Sequence, residues 1–219
     1  MKDLLLESRP SHYDAAYFAR QKQAGEFGAS LNLQWFQPFI HPTDWVLDFG
    51  CGGGYLLKAL NCSKKIGVEI NELARAEAAR LGVKTCHMID EIPDAFANVV
   101  ISNHVLEHLL SPYDTLVSLK PKVKPGGALV FVVPHQGPNE RFQENDPNQH
   151  LYTWNPMTLG NLFTAAGYQV RQVEAIRCKW PPHYTRIRAA TGKAIFIRLC
   201  TLYAFLRNDY QLRIVAKNP

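Results

Sequence analysis

Short apolar runs alternate with helical patterns along most of this chain, and the alternation predicts strands near 45–49, 65–69, 84–88, 98–102 and 127–133. Helices are expected between them near 54–60, 71–81 and 112–122. Near-continuous apolar runs of four to eight residues are how strands buried on both faces read, the habit of a parallel sheet covered by helices. Pro125-Gly126-Gly127 is a turn signal directly before the fifth run. A further helix near 156–166 is closed by Gly167, and two β-rich runs follow at 168–177 and 210–217. Ahead of the first strand, Ser11 to Phe36 carries Tyr13, Tyr17 and Phe18, and helical spacing puts Tyr13 and Tyr17 on one face. No internal repeat or low-complexity segment interrupts the pattern.

Composition narrows the class. A chain of 219 residues with 47% hydrophobic and 20% charged residues is globular and long enough for one well-buried core, so a single domain over 1–219 is expected, with an N-terminal helical segment at 1–43. The N-terminal apolar run is too short for a signal peptide, and no stretch approaches the roughly 18 apolar residues of a membrane span. Cys51, Cys62, Cys86, Cys178 and Cys200 form no C-x-x-C pair and are odd in number. They read as reduced thiols of a cytoplasmic protein.

Charge is unevenly spread. The net charge is +5, yet from Arg171 onward ten lysines or arginines face only Glu174 and Asp209. A basic helical insertion is expected at about 178–208, between the last two β-rich runs. Three readings compete for it: peripheral contact with an anionic lipid surface or a lipid-phosphate-linked acceptor, contact with nucleic-acid phosphates, or a capping helix packed on the domain.

The strongest chemical signal is VLDFGCGGGYLLKAL, Val46 to Leu60, an apolar strand entering a glycine-crowded turn and leaving as a helix. Gly50, Gly52 and Gly54 permit positive φ and close approach of a ligand to the main chain. The dinucleotide fingerprint G-x-G-x-x-G fails, because the third glycine would fall at Tyr55 or Leu57. What stands instead is D-x-G-x-G-x-G from Asp48 to Gly54, with Glu69 ending the next apolar run, placed to accept from ribose hydroxyls. Asp48 would repel a pyrophosphate and attract a cationic amino group. The chemistry points to S-adenosylmethionine.

At these residues the chain resembles the class I S-adenosylmethionine-dependent methyltransferases, in particular small-molecule enzymes of the ubiquinone-biosynthesis type. Ile92-Pro93, VVISNHVLEHL (Val99 to Leu109), LKPKVKPGGALVFVVP (Leu119 to Pro134) and HLYTWNPMTLGNLFTAAGY (His150 to Tyr168) look like that group's later motifs in the same order. The resemblance implies an α/β, Rossmann-like fold: a seven-stranded mixed sheet, helices on both faces, and a C-terminal antiparallel hairpin at the edge. It also implies cofactor contacts at the carboxyl ends of the strands. Asp48, Gly50, Gly52 and Gly54 should border the methionine part and Glu69 the ribose. Met88 and Ile89 should sandwich the adenine, Asp90 should accept from its exocyclic amine, and Asn103 should lie near the sulfonium or the amino-acid end. Ala97-Asn98 stands where the group often has Phe-Asp, and Asn98 keeps the hydrogen-bonding shape. The N-terminal helix is expected to close over the cofactor.

The expected function is methyl transfer to a small-molecule or lipid-linked acceptor by direct displacement, and a hydroxyl nucleophile would profit from a histidine base. His150, with His135, is assigned to the acceptor side as base or orienting group. His104 and His108 are expected on one face of a short helix. No third metal ligand is identifiable beside them, so no metal is assigned. Trp180-Pro181-Pro182-His183-Tyr184 superficially resembles the N/D-P-P-Y/F motif of nucleic-acid methyltransferases. It lies in the wrong place, which argues against a nucleic-acid acceptor. An RNA methyltransferase, a non-catalytic S-adenosylmethionine sensor or scaffold, and an oxidoreductase are the alternatives. The acceptor atom and the oligomeric state stay open.

Overall fold

The computed structural model describes residues 15–137, 141–144, 146 and 148–219, with side chains from residue 22 onward. Its elements run α1 (Ala15–Phe36), β1 (Trp45–Phe49), α2 (Tyr55–Ala59), β2 (Lys64–Val68), α3 (Glu72–Arg80), β3 (Thr85–Cys86), β4 (Ala97–Asn103), α4 (Pro112–Leu119), β5 (Val123–Pro134), α5 (Pro156–Ala165), β6 (Gln169–Ile176), α6 (Tyr184–Leu206) and β7 (Gln211–Lys217). The seven strands lie in the order β3-β2-β1-β4-β5-β7-β6. Pairing is parallel from β3 to β5 and antiparallel across β5-β7-β6, which is the mixed sheet with an edge hairpin that the resemblance implies. Strand order reverses between β1 and β4, so their carboxyl ends open a crevice at the switch point.

Both sheet faces are buried, and a period of two sorts the residues between them. On one face Leu47, Phe49, Val100, Leu129, Phe131 and Leu212 pack against Leu116 of α4 and Leu159 and Phe163 of α5. On the other, Val46, Val99, Ile101, Val130 and Val132 meet Trp35 and Phe36 of α1, Leu57 of α2 and Ala78 of α3. The helices start where capping chemistry allows. The Asn71 side chain accepts from Leu73 N and Ala74 N ahead of α3, Ser111 caps α4, and Asn155 forms a capping box with Thr158 ahead of α5. Asn98 Oδ1 accepts from Trp45 N at 3.0 Å and Lys124 Nζ at 2.9 Å, stitching β4 to β1 and β5.

The structure departs from the sequence expectations in four places. The third strand, expected at 84–88, pairs only over Thr85 and Cys86. Beyond it the Glu91 carboxylate accepts the amides of His87 (2.9 Å) and Met88 (2.8 Å), so these amides turn away from the sheet. The fifth strand begins four residues early, at Val123, because Ala97 pairs with Val123 before the register shifts; Pro125-Gly126-Gly127, expected as a turn, lies inside the strand with Gly126 at φ 75°. His104 and His108 do not share a helical face: His104 sits at φ 58°, and a single 3₁₀ turn spans Leu106–His108.

The fourth departure is α6. By length and composition it is apolar enough to cross a membrane, against the expectation that no stretch would be. Its two ends join strands of one sheet, Gly192 breaks it at φ 74° and ψ 173°, and Phe196, Cys200 and Ala204 are buried, so it lies along the sheet domain. Trp180 and Tyr184 of the W-P-P-H-Y segment pack edge-on against Phe27 of α1, at ring distances of 4.8 and 4.5 Å. The segment is a packing element. Tyr13 lies outside the described residues.

Candidate active site

The turn after β1 is tied down from below and left open above. Gly50 N and Cys51 N donate to Val68 O at 2.8 and 3.2 Å, and Gly54 N to Cys51 O at 3.0 Å. Gly50, at φ 74°, is closed over by Val105, whose Cγ2 would stand 2.3 Å from an added Cβ. Gly54, at φ 76°, backs onto Ala78 and Val83 and does not line the cleft, so it serves packing. Gly52 is different. At φ 53° it has nothing within 4 Å of where a Cβ would project, so its missing side chain leaves space for a ligand.

That space opens into a cleft of about 1400 Å³ that runs past the carboxyl ends of β1, β2, β4 and β5. Asp48, Gly50, Gly52, Glu69, Asn103, His135 and His150, all predicted from sequence, line it together. Ile89 is buried in the core, and Asp90 is exposed on the turn after β3; neither lines the cleft. Ile70, Asn71 and Ala74 form the wall there, and sequence reasoning missed them. Asn71 carried a signal, since it stands at the N-cap of α3. α1 crosses the mouth through Ala24, Gly25 and Ala29, where Gly25 lets the Tyr55 ring press against the helix backbone. Tyr55 OH donates to Glu77 Oε1 at 2.9 Å, and Lys22 of α1 pairs with the same carboxylate at 3.2 Å.

Electrostatics distinguish the two ends. Glu69 Oε2 accepts from Gly52 N and Oε1 from Asn71 N, both at 2.8 Å, which fixes the carboxylate against the turn. Burial raises its pKa, and those backbone donors partly oppose the rise. Asp48 is 2% exposed, and burial, with the Glu69 charge second, pushes its pKa up to about 8. Two carboxylates this close in a dry wall favour a ligand that brings positive charge. Asn103 Oδ1 is buried and has no hydrogen-bond partner among the described residues. It needs a donor. A ligand with an ammonium group, ribose hydroxyls and a flat base meets these demands, and S-adenosylmethionine has all three.

The far end is rich in histidine. His135 Nδ1 donates to Trp154 O at 2.7 Å while its ring stacks on Tyr210 at 4.1 Å, leaving Nε2 as the acceptor nitrogen of the neutral ring. His150 Nδ1 meets Gln136 Oε1 at 3.2 Å, and its ring lies 4.9 Å from that of His108. His104 Nε2 bonds Gln211 Oε1 at 2.7 Å, and its Nδ1 stands 3.3 Å from Glu107 Oε1. Burial would lower the His104 pKa, but Glu107 outweighs it and the net direction is upward.

A family model described as a methyltransferase domain matches residues 20–173. The ribosomal protein L11 methyltransferase of Ralstonia pickettii is 30% identical over 110 residues, covering 46% of this chain and 36% of that protein. The ubiquinone biosynthesis O-methyltransferase of Roseobacter denitrificans is 29% identical over 145 residues, covering 61% of this chain and 56% of that protein. The chain thus spans about a third to about a half of the length of these curated relatives. A solved S-adenosylmethionine-dependent methyltransferase from Archaeoglobus fulgidus shares the fold with a TM-score of 0.65 at 22% identity, over 93% of this chain and 100% of that one. With the domain match spanning most of the chain, and an open glycine turn facing Glu69 beneath it, this protein belongs to the class I S-adenosylmethionine-dependent methyltransferases.

Proposed function

We propose that this protein transfers a methyl group from S-adenosylmethionine to a small-molecule or lipid-linked acceptor. The observation that carries the reading is the continuity of one cleft from the Gly52–Glu69 cradle to the wall of His104, His135 and His150. When bound, the cofactor supplies a methyl on a sulfonium, whose departure as a neutral thioether leaves the protein mainly to align the partners and exclude water. Glu69 holds the ribose hydroxyls, Asp48 and Asn103 face the amino-acid end, and Gly52 gives room. Ile70, Asn71 and Ala74 wall the place the adenine would take, where Ile89 and Asp90 had been expected. His135 and His150 face the acceptor. His135 is held in the tautomer that can take a proton at Nε2, and His150 orients the acceptor.

The lipid-linked alternative draws support from α6. Its inner face packs on Leu31 of α1 through Phe196 and Cys200, and its outer face exposes Ile195, Leu202, Phe205 and Leu206. A shallow groove of about 410 Å³ runs along it, walled by Ile197, Leu202 and Phe205 and rimmed by Arg177 and Arg198. Apolar walls under guanidinium groups suit an acyl or prenyl chain carrying a phosphate.

Incubating the protein with radiolabelled S-adenosylmethionine and a cell extract, then separating lipid, small-metabolite, protein and RNA fractions, tests the reading. Label in the lipid or metabolite fraction is the expected result. Label in protein, as for the L11 methyltransferase, or in RNA contradicts the acceptor class. Binding of S-adenosylhomocysteine with no transfer to any fraction favours the sensor or scaffold.

A further inference from the structure

We propose that Glu107, His108 and His150 form a binding site for a divalent transition-metal cation at the acceptor end of the cleft. Each of the three offers one ligand atom, and these atoms lie within 4.8 Å of one another. His108 Nε2 stands 3.9 Å from Glu107 Oε1. Ligands on one first-row cation, at about 2.0–2.2 Å from the metal, stand roughly 3–4 Å apart. The cluster therefore closes onto an ion by small side-chain rotations. Two imidazoles and one carboxylate are a donor set that takes zinc, manganese, cobalt or iron, and three protein ligands leave positions free. All three residues line the cleft, so those free positions face the acceptor.

Glu107 supplies the independent observation. Its side chain is 0% exposed, and among the described residues neither carboxylate oxygen is met by a hydrogen bond of full distance and angle. His104 Nδ1 at 3.3 Å and His108 Nε2 at 3.9 Å both stand at Oε1, ion-pair partners when protonated, and Oε2 has no partner among the described residues. A fully buried carboxylate with unused lone pairs is costly to maintain, and a cation is the partner that uses them.

The surroundings set the cluster as a metal site needs. His150 Nδ1 donates to Gln136 Oε1 at 3.2 Å, which points the Nε2 lone pair the other way and fixes the ring, the usual outer-shell arrangement of a ligating histidine. Leu151 N donates to Glu107 O at 2.8 Å, and Tyr152 OH to Leu110 O at 2.8 Å. These two bonds clamp the segment bearing His150 onto the turn bearing Glu107 and His108. Sequence reading assigned no metal because a third ligand beside the paired histidines was not identifiable. The fold leaves His104 out of the cluster and joins His108 to its neighbour Glu107 and to His150, 42 residues downstream.

The cation's role rests on the proposed methyl transfer; its binding does not. Bound here, it would hold an oxygen of the acceptor and lower the pKa of that hydroxyl, whose proton His135 Nε2 can take. His150 then acts as a ligand that positions the acceptor.

Chelator-treated protein titrated with Co²⁺ tests the site, read by visible absorption and calorimetry, with S-adenosylhomocysteine binding measured in parallel. Wild type should take one Co²⁺ per chain with ligand-field bands, and Zn²⁺ should displace it. His108→Gln and the half-buried His150→Gln should each weaken Co²⁺ at least tenfold while S-adenosylhomocysteine affinity stays within twofold. Absence of Co²⁺ binding below millimolar, or equal binding by both variants, overturns the site. Glu107 is then only the charge partner of His104 and His108. Loss of S-adenosylhomocysteine binding in wild type with Co²⁺ binding intact overturns the methyl-transfer reading and leaves the site standing.

Discussion

Asp48 concentrates the chemistry of the cofactor end in one side chain. Its folded pKa of about 8 lies above its ordinary 3.8, because burial and then the Glu69 charge disfavour ionisation. The native state therefore holds a proton that the unfolded chain gives up between about pH 4 and 8. Asp48's contribution to stability is fully present below about pH 4 and is lost as pH rises through about 8. A ligand ammonium reverses the preference. Binding S-adenosylhomocysteine at pH 7 should release close to one proton, seen as a dependence of the calorimetric heat on buffer ionisation enthalpy, and Asp48→Asn should abolish that dependence. The glycines make a second contrast. Gly52→Ala puts a methyl into open space at φ 53°, so it should cost only about 1 kcal/mol of stability while weakening S-adenosylhomocysteine tenfold or more. Gly50→Ala drives a Cβ onto Val105 at 2.3 Å and should lower stability by about 1–3 kcal/mol or more, as denaturant unfolding would report.

Elements whose signal is local were legible in the sequence. The D-x-G-x-G-x-G turn and the Glu69 strand end are written in adjacent residues; the caps at Asn71 and Asn155 are as local and were passed over. Where a side chain took over backbone hydrogen bonds, the reading failed even at short range: Glu91, three and four residues on, shortens β3 by capturing the Met88 and His87 amides. His104 was placed on a helix because i, i+4 spacing cannot reveal that its amide donates to Val132 O at 2.8 Å, which turns the residue left-handed. α6 was legible as a basic insertion, but not its division into a packed and an exposed face. That division carries a prediction. Phe205 and Leu206 are 65% and 72% exposed, so a Phe205→Ser, Leu206→Ser pair should leave the melting temperature nearly unchanged. Each such side chain buried in lipid is worth about 1.5–3 kcal/mol. The double variant should therefore lose at least tenfold in binding to phosphatidylglycerol vesicles by co-sedimentation; unchanged binding would remove α6 from the lipid-linked account.

At the scale of the whole molecule, the sheet sets everything else. Phe131 and Phe163 meet edge-on at 5.4 Å on one face, both fully buried. Phe163→Ala should cost about 3–5 kcal/mol in urea unfolding, the penalty for emptying a core position that cannot collapse. The alternating runs made the strands legible, and the mixed sheet with its edge hairpin came from the family resemblance. His135 and His150 were assigned to the acceptor side, but the meeting of His150 with Glu107 and His108 was not legible, because it exists only after β5 and the chain leading to α5 bring His150 over the end of β4. The cradle that Gly52 and Glu69 form is proposed to seat a nucleoside. Titration calorimetry with S-adenosylhomocysteine on wild type and Glu69→Gln measures that directly. One site per chain is predicted, weakened about tenfold or more in the variant, the loss expected when a charged hydrogen-bond acceptor is neutralised. No heat with wild type, or equal affinity in both proteins, would contradict the account.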